Sequence, residues 1–230
     1  MLGGRLTPAV KWLAIVTTAI YLGQFAARYA EIEKALLLLF AVTPAQVFGS
    51  GFFWQVATYM FLHSTGDPMH LVLNMLGLWM FGSVIEEMWG AKKFLFFYFV
   101  CGVFGGVCVV LSGLLIPSAW TVPTIGQSAC IYGLIGAFGV LFAEQNIYFY
   151  AIIPVKAKVF VWVLVAIAVL YALAGSPYSF PAHMGGLLMG YLLVTGNWNP
   201  KLLWLKFRYW RLTRDRRKLR VIDGGGGYVH

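Results

Sequence analysis

Four polar side chains stand near the starts of three apolar segments, and together they could hydrolyse an acyl bond. His70 and Asn74 open the second segment, Ser128 opens the fourth and His183 opens the sixth. A serine hydroxyl becomes a nucleophile when a base lies within hydrogen-bond reach, and imidazole titrates near neutral pH. No carboxylate occupies the same level inside a span. The residues therefore predict a Ser–His dyad, with Asp67 in the preceding loop as a candidate third member.

The tetrahedral intermediate of such a reaction needs hydrogen-bond donors for its oxyanion. Backbone N–H groups at a helix start are unpaired inside the helix, and Ser128 is expected at such a start. His70 and Asn74 are four residues apart and share one helix face, where both side chains can donate to one oxygen. Tyr132 follows Ser128 by four residues and is expected to pack on the ring of His183.

Each of these residues also has a simpler interpretation. A serine in a membrane helix often bonds the backbone four residues back, Asn74 could hold two helices together, and a single buried His183 or His70 is commonly a packing residue. Cys130 is another candidate nucleophile, but apolar neighbours do not lower the pKa of a thiol. The spacing of His63 and His70 matches no standard metal-binding pair, so neither a metal nor another cofactor is predicted.

Membrane-spanning helices must position these residues. Apolar residues make up 60% of the chain and charged residues 11%, whereas soluble domains have about 45–50% and about 25%. An apolar segment of about 20 residues can cross a bilayer as a helix. The fold class is therefore an all-α polytopic membrane protein with six spans. Apolar segments lie at about 9–27, 69–89, 94–116, 127–147, 152–174 and 180–197.

The segment 28–68 differs from the spans. Its apolar stretch 35–42 is too short to cross a bilayer, and Pro44 and Gly51 are turn residues. We predict an outer interfacial loop with one short helix and with half-buried aromatic side chains at headgroup level. Those aromatic residues are Phe52, Phe53 and Trp54.

Basic residues orient the chain. With six spans, the side that carries both termini also carries the basic pairs at 92–93 and 156–158, whereas the opposite side has only Arg28 and Lys34. The positive-inside rule then places both termini in the cytoplasm. The stretch before the first span resembles no transit peptide, which favours a prokaryotic cell (inner) membrane over an organelle.

A basic tail follows the last span. Nine of the 17 Lys and Arg residues lie between positions 201 and 220, and the net charge of the chain is +9. Such a tail could bind nucleic acid, but after so much membrane we expect it to lie against anionic lipid headgroups. The predicted organisation is a membrane domain over 1–200, which includes the loop 28–68, and a basic cytoplasmic tail over 201–230.

Three motifs carry a resemblance to a known family. They are 61-FLHSTGDPMHLVLNMLGLWMFG-82, 126-GQSACIYGLIGAF-138 and 182-AHMGGLLMG-190. Their order and their positions in the second, fourth and sixth spans resemble the rhomboid family of intramembrane serine proteases. The resemblance covers about residues 61–191.

The resemblance implies a six-transmembrane-helix, rhomboid-like bundle with a defined site. Ser128 would be the nucleophile and His183 the base, while His70, Asn74 and the Ser128 amide would bind the oxyanion. Tyr132 would stack on His183, and Glu86 matches a structural acid. Supporting glycines would be Gly126 of the Gly-x-Ser motif, and Gly186 and Gly190, which would let the fourth and sixth helices approach closely.

The resemblance also implies substrates. They would be transmembrane proteins in the lipid bilayer, cut near the outer membrane boundary where small residues destabilise the helix, without a cofactor and without nucleic acid. The loop 175–181 would cap the site and the fifth span would act as a side gate.

One departure keeps an alternative open. The family usually has glycine directly after the serine, and this chain has Ala129. If that position needs a backbone shape that only glycine tolerates, the serine is misplaced; if it is an ordinary helical position, alanine is harmless. The alternative is an inactive rhomboid-like protein that binds transmembrane helices. A transporter is disfavoured, because the chain lacks paired broken helices and mid-membrane charges.

Overall fold

The computed structural model describes residues 5–30, 32–149, 153–173, 179–197 and 199–216. The chain divides into two compact units, Met1–Val194 and Thr195–His230. All candidate site residues belong to the first unit.

The first helix is followed by a connection richer in helix than the sequence predicts. Helix α1 spans Pro8–Tyr29, and three short helices follow: α2 (Glu33–Phe40), α3 (Pro44–Ser50) and α4 (Gln55–Thr58), with a 3₁₀ turn at Tyr59–Phe61. The prediction of one short helix in 28–68 was wrong. The fixed φ of Pro44 suits a first helical turn, and Gly51, at φ 73°, ends α3 in the left-handed conformation. Of the three aromatic residues, Phe53 and Trp54 are exposed and Phe52 is half-buried.

The second apolar segment forms one continuous helix over Pro68–Trp89. It consists of α5 (Pro68–Gly77), a π-helical stretch at Leu78–Gly82 and α6 (Ser83–Trp89). Gly90, at φ 78°, turns the chain into α7 (Ala91–Leu115). With α1, these are the three helices in the described residues that are long and apolar enough to cross a membrane.

The later apolar segments form shorter helices. They are α8 (Ser128–Leu141), α9 (Ala157–Leu173) and α10 (Phe180–Thr195). The helical fold class is confirmed, while the count of six spans stays a prediction. The loop 175–181, predicted to cap the site, lies mostly outside the described residues.

A two-stranded ribbon stands between α8 and α9, where the sequence predicts the ends of two spans. Strands β1 (Asn146–Phe149) and β2 (Ile153–Lys156) pair antiparallel. The helices expected over 127–147 and 152–174 therefore end and begin elsewhere than predicted. Polar residues at 144–146 interrupt the first apolar segment, and Pro154 disfavours helix in the second.

At the base of the ribbon, hydrogen bonds from Lys156 and Lys158 lower the pKa of Glu144 to about 2.

Helix α8 is the centre of the first unit. Ala129, Cys130, Leu134 and Ala137 of this helix are fully buried. Glycines let its neighbours approach closely. A Cβ placed on Gly105 of α7 would lie 2.5 Å from the Cβ of Ala129.

Helix α10 approaches α8 through two glycines of its own. A Cβ on Gly186 would overlap the backbone carbonyl of Ala129, and a Cβ on Gly190 would overlap the carbonyl of Gly133. The two helices are in backbone contact at both points, as small residues spaced by four allow. This contact brings the first turns of α8 and α10 side by side.

Helix α1 is bound to the bundle near both of its ends. The buried carboxylate of Glu86 accepts hydrogen bonds from the Thr7 hydroxyl at 2.5 Å and from the amides of Ala9 and Val10, each at 2.9 Å. A carboxylate at a helix start pairs the free amides and complements the helix dipole. Near the other end, the Gln24 side chain bonds both the amide (3.0 Å) and the carbonyl (3.3 Å) of His63.

The second unit contains a further helix, α11 (Pro200–Arg216). It holds most of the basic residues that the sequence places after the last span.

Candidate active site

The starts of α8 and α10 place a serine next to a histidine. Ser128 is the first residue of α8, and His183 is the fourth of α10. The Oγ of Ser128 lies 2.8 Å from the Nε2 of His183, which is a hydrogen-bond distance. With Nδ1 protonated, Nε2 accepts the hydroxyl proton. The pair has the arrangement of a nucleophile and its general base.

Tyr132 fixes the plane of the histidine ring. It lies one helical turn after Ser128, and its ring stacks on that of His183 with centroids 4.4 Å apart and planes 5° apart. Parallel contact on one face leaves the imidazole free to bond through its edge. The stacking therefore limits the rotation of the base while Nε2 stays directed at the serine.

Gly126, His70 and Asn74 line the neighbouring position. Gly126 has φ 111°, which side chains other than hydrogen rarely tolerate. A Cβ placed there would lie 2.6 Å from the Nε2 of His70 and 3.9 Å from the Nδ2 of Asn74, so both nitrogens are directed at the backbone before the serine. Asn74 also donates to the carbonyl of His70 at 2.9 Å.

The Ser128 amide is available beside these nitrogens. Because Ser128 opens α8, its N–H belongs to the first helical turn, where amides have no partner within the helix. The helix start also carries a partial positive charge. Three kinds of donor thus lie along the backbone that leads into α8: an imidazole and a carboxamide at Gly126, and the helix-start amide of Ser128.

Ala129 occupies an ordinary helical position. It is the second residue of α8, and its methyl group fits against Gly105 of α7. Helical backbone does not require glycine. The chain thus accommodates the alanine by having a glycine in the facing helix.

The remaining candidates lie elsewhere or have other partners. Asp67 caps α5 by accepting a hydrogen bond from the Met69 amide at 3.1 Å. Cys130 is fully buried, with its sulfur 4.0 Å from that of Met60. The described residues contain no group of three or more His, Cys, Asp or Glu side chains that could hold a metal ion.

Two residues near the site have contacts that the sequence did not predict. The His63 ring is 0% exposed and its centroid lies 5.1 Å from that of His70, while Gln24 binds the His63 backbone from α1. From the sequence, His63 was considered only as a metal ligand, and Gln24 was not considered. The available signal was a glutamine inside an otherwise apolar span, a costly placement that needs a partner.

Comparison with known proteins identifies the family. Residues 50–199 match the family model of the rhomboid domain. This chain belongs to the rhomboid family. As a rhomboid protein it is an integral, multi-pass membrane protein.

Several relatives are similar over much of the chain. Rhomboid-like protease 3 of Toxoplasma gondii is 29% identical over 189 residues, which cover 81% of this chain and 68% of that protein. Rhomboid protein 1, mitochondrial, of Saccharomyces cerevisiae is 28% identical over 166 residues, covering 70% of this chain and 44% of that protein. This rhomboid chain thus spans about two thirds of the first relative and less than half of the second.

One relative carries a different name. Inactive RHOMBOID-like protein 8 of Arabidopsis thaliana is 30% identical over 96 residues, covering 41% of this chain and 25% of that protein. Rhomboid relatives thus include both proteases and an inactive member. Whether a given rhomboid chain is active must be argued from its site.

Proposed function

We propose that this rhomboid protein is an intramembrane serine endopeptidase that hydrolyses peptide bonds in or next to transmembrane segments of other proteins. The observation that carries the proposal is the 2.8 Å contact between Ser128 Oγ and His183 Nε2, with the base held by the Tyr132 ring. The grouped donors at His70 and Asn74 support it.

In the first step, the Oγ of Ser128 attacks the carbonyl carbon of the scissile bond while Nε2 of His183 takes the hydroxyl proton. The carbonyl oxygen becomes an oxyanion and accepts hydrogen bonds from the Ser128 amide, from His70 Nε2–H and from Asn74 Nδ2–H. Preorganised donors lower such a barrier because they need not reorient during the reaction.

The imidazolium of His183 then gives its proton to the leaving amine, and the C–N bond breaks to leave an acyl-serine. Water attacks that ester, His183 takes a proton from the water, and Ser128 recovers its own when the acid product leaves. The dyad performs these transfers without a carboxylate. Stacking on Tyr132 provides the orientation that an acid provides in a triad.

The substrate class follows from the environment of the site. In the predicted topology of six spans, the first turns of α5, α8 and α10 lie on the side opposite the basic tail. The scissile bond would lie near that outer boundary of the membrane, and helix-destabilising residues there would favour extension into the site. Both termini of the enzyme would be cytoplasmic in a prokaryotic cell membrane, with 1–200 as the membrane domain and 201–230 as the tail.

The test is cleavage of a fluorogenic transmembrane peptide by the full chain in liposomes. Ser128→Ala and His183→Ala should each lower kcat by at least about a thousandfold, since each removes the dyad. Ser112→Ala is a matched control, because Ser112 bonds the Val109 carbonyl within α7 and should leave kcat unchanged. Cleavage that survives in both dyad variants would refute the assignment.

The second candidate is an inactive rhomboid-like protein that binds transmembrane helices. The inactive Arabidopsis relative and the departure at Ala129 favour it. It predicts that the parent binds the peptide without products and that Ser128→Ala binds equally well. The fit of the Ala129 methyl against Gly105 argues for an undistorted serine and hence for the protease.

A further inference from the structure

Helix α11 has a composition that the proposed proteolysis does not use. Between positions 201 and 216 its sequence carries six basic residues and one acid, Asp215, together with four aromatic residues. Its described apolar side chains are widely exposed, with Trp204 at 58%, Tyr209 at 71% and Trp210 at 52%. A helix with both features needs a partner that offers negative charge and an apolar layer together.

Three of the basic residues and three of the apolar residues of α11 lie in adjacent stripes. Lys201, Arg208 and Arg211 recur at helical spacing with Trp204 between them, and all are exposed. The Arg208 guanidinium lies over the Trp204 ring, 5.3 Å from its centroid. Beside this basic stripe runs an apolar one. It consists of Leu202, Leu205 and Tyr209.

The chain connection holds α11 close to the membrane. Helix α10 ends at Thr195 and α11 begins at Pro200, so only residues 196–199 separate them. The five residue steps from Thr195 to Pro200 reach at most about 18 Å. Because α10 is an apolar helix of the membrane domain, the start of α11 remains within that distance of the end of α10.

Lys206 also binds α11 to the connection that precedes it. Its ammonium donates to the Thr195 carbonyl at 3.0 Å and to the Asn197 side chain at 2.8 Å. A cation on the last carbonyls of a helix is favourable. Two turns of α11 thus lie beside the connection instead of extending away from it.

We propose that α11 is an interfacial helix that binds anionic phospholipid headgroups on the membrane face where α10 ends. The apolar stripe enters the upper acyl region, Trp and Tyr side chains lie at headgroup depth, and the basic stripe binds the phosphates. Charge complementarity favours this partner over a zwitterionic surface. The apolar stripe and the short connection favour a bilayer over nucleic acid, which offers charge without an apolar layer.

Hydrogen–deuterium exchange on the full chain in lipid nanodiscs tests the proposal. Discs of phosphatidylcholine alone are compared with discs that contain about 30% phosphatidylglycerol. We expect amide exchange across 202–213 to slow by about tenfold in the anionic discs and to return to the phosphatidylcholine rate in about 0.5 M NaCl. Exchange in α7 serves as an internal check of folding in every disc.

Charge variants make the test specific. Arg208→Gln/Arg211→Gln should abolish the difference between the two lipids, whereas Lys92→Gln/Lys93→Gln, which removes two exposed charges at the start of α7, should preserve it. Equal exchange in both discs overturns the proposal, and so does protection that both variants retain. Protection by an RNA of about 20 nucleotides in phosphatidylcholine discs, with none from anionic lipid, would make α11 a nucleic-acid site instead. No arm depends on proteolysis.

Discussion

At the scale of single residues, the site depends on small groups that leave room for larger ones. Gly126 is the clearest case, because its backbone takes a positive φ and its missing side chain leaves space for the His70 ring. Three motifs were enough to predict which residues meet here. Sequence alone did not indicate how closely His70 approaches the backbone before the serine.

Gly126→Ala should lower kcat by about a hundredfold or more while leaving the bundle folded. The new Cβ would lie 2.6 Å from His70 Nε2 and would displace that donor. Loss of one oxyanion donor lowers kcat by about a hundredfold or more. Gly23→Ala in α1 is the matched control, since a Cβ there meets nothing within 4 Å. Peptide cleavage and thermal unfolding of both variants decide between loss of a donor and loss of the fold.

His63 should make the protein less stable in acid. Burial lowers the pKa of His63 from 6.5 to about 3, so the folded state holds the ring neutral where the unfolded state protonates it. Its contribution is complete above pH 6.5 and is lost as the pH falls toward 3, by at most about 1.4 kcal/mol per unit.

The measurement compares parent and His63→Gln by unfolding in detergent between pH 7.5 and about 4.5. We expect the free energy of unfolding of the parent to fall more steeply with acid than that of the variant. Curves that stay parallel over the whole range would show that His63 does not titrate on unfolding.

At the scale of elements, two helices approach closely only where small residues of one helix face suitable residues of the other. The sequence shows glycines in α7, α8 and α10, but not which of them face each other. Ala129 departs from the usual glycine of the family, and the sequence did not show that Gly105 of α7 supplies the space for its methyl group. The ribbon after α8 was missed for a related reason, since short apolar stretches suit buried strands and helices alike.

Exchanging the two residues of this pair tests their fit. Gly105→Ala should destabilise the protein by about 1–3 kcal/mol, because its Cβ would lie 2.5 Å from that of Ala129. Ala129→Gly should cost about 1 kcal/mol through lost helix propensity and lost contact.

The double variant Gly105→Ala/Ala129→Gly should be more stable than the sum of the single effects predicts. Recovery should be incomplete, because the new Cβ also lies 2.9 Å from the Ala182 carbonyl. Strict additivity in a double-mutant cycle would mean that the two positions do not share one space.

At the scale of the whole molecule, α1 is connected to distant parts of the chain. Glu86 accepts hydrogen bonds from the amides at the start of this helix, and Gln24 of the same helix binds the loop that leads to α5. The apolar pattern predicted the span, and the family resemblance pointed to Glu86 as a structural acid. Neither identified its partners, because no local pattern relates residue 86 to residues 7–10.

Glu86→Gln should therefore lower the free energy of unfolding by about 2 kcal/mol or more, since a charged acceptor of three hydrogen bonds is replaced by a neutral one. Glu87→Gln, at the exposed neighbouring position, should change it by less than about 0.5 kcal/mol. Unfolding in a denaturing detergent series measures both. Equal effects of the two substitutions would show that the hydrogen bonds of Glu86 do not stabilise the fold.

The hydrogen bonds between Glu86 and the start of α1 can form only after both segments have been synthesised. Ala9 and Glu86 are 77 positions apart, so the ribosome completes α1 long before the acid that pairs its first amides exists. Until the second long helix is made, water or lipid headgroups must satisfy those amides. The start of α1 is thus fixed only after the second long helix has been made, and until then these hydrogen bonds do not attach it to the bundle.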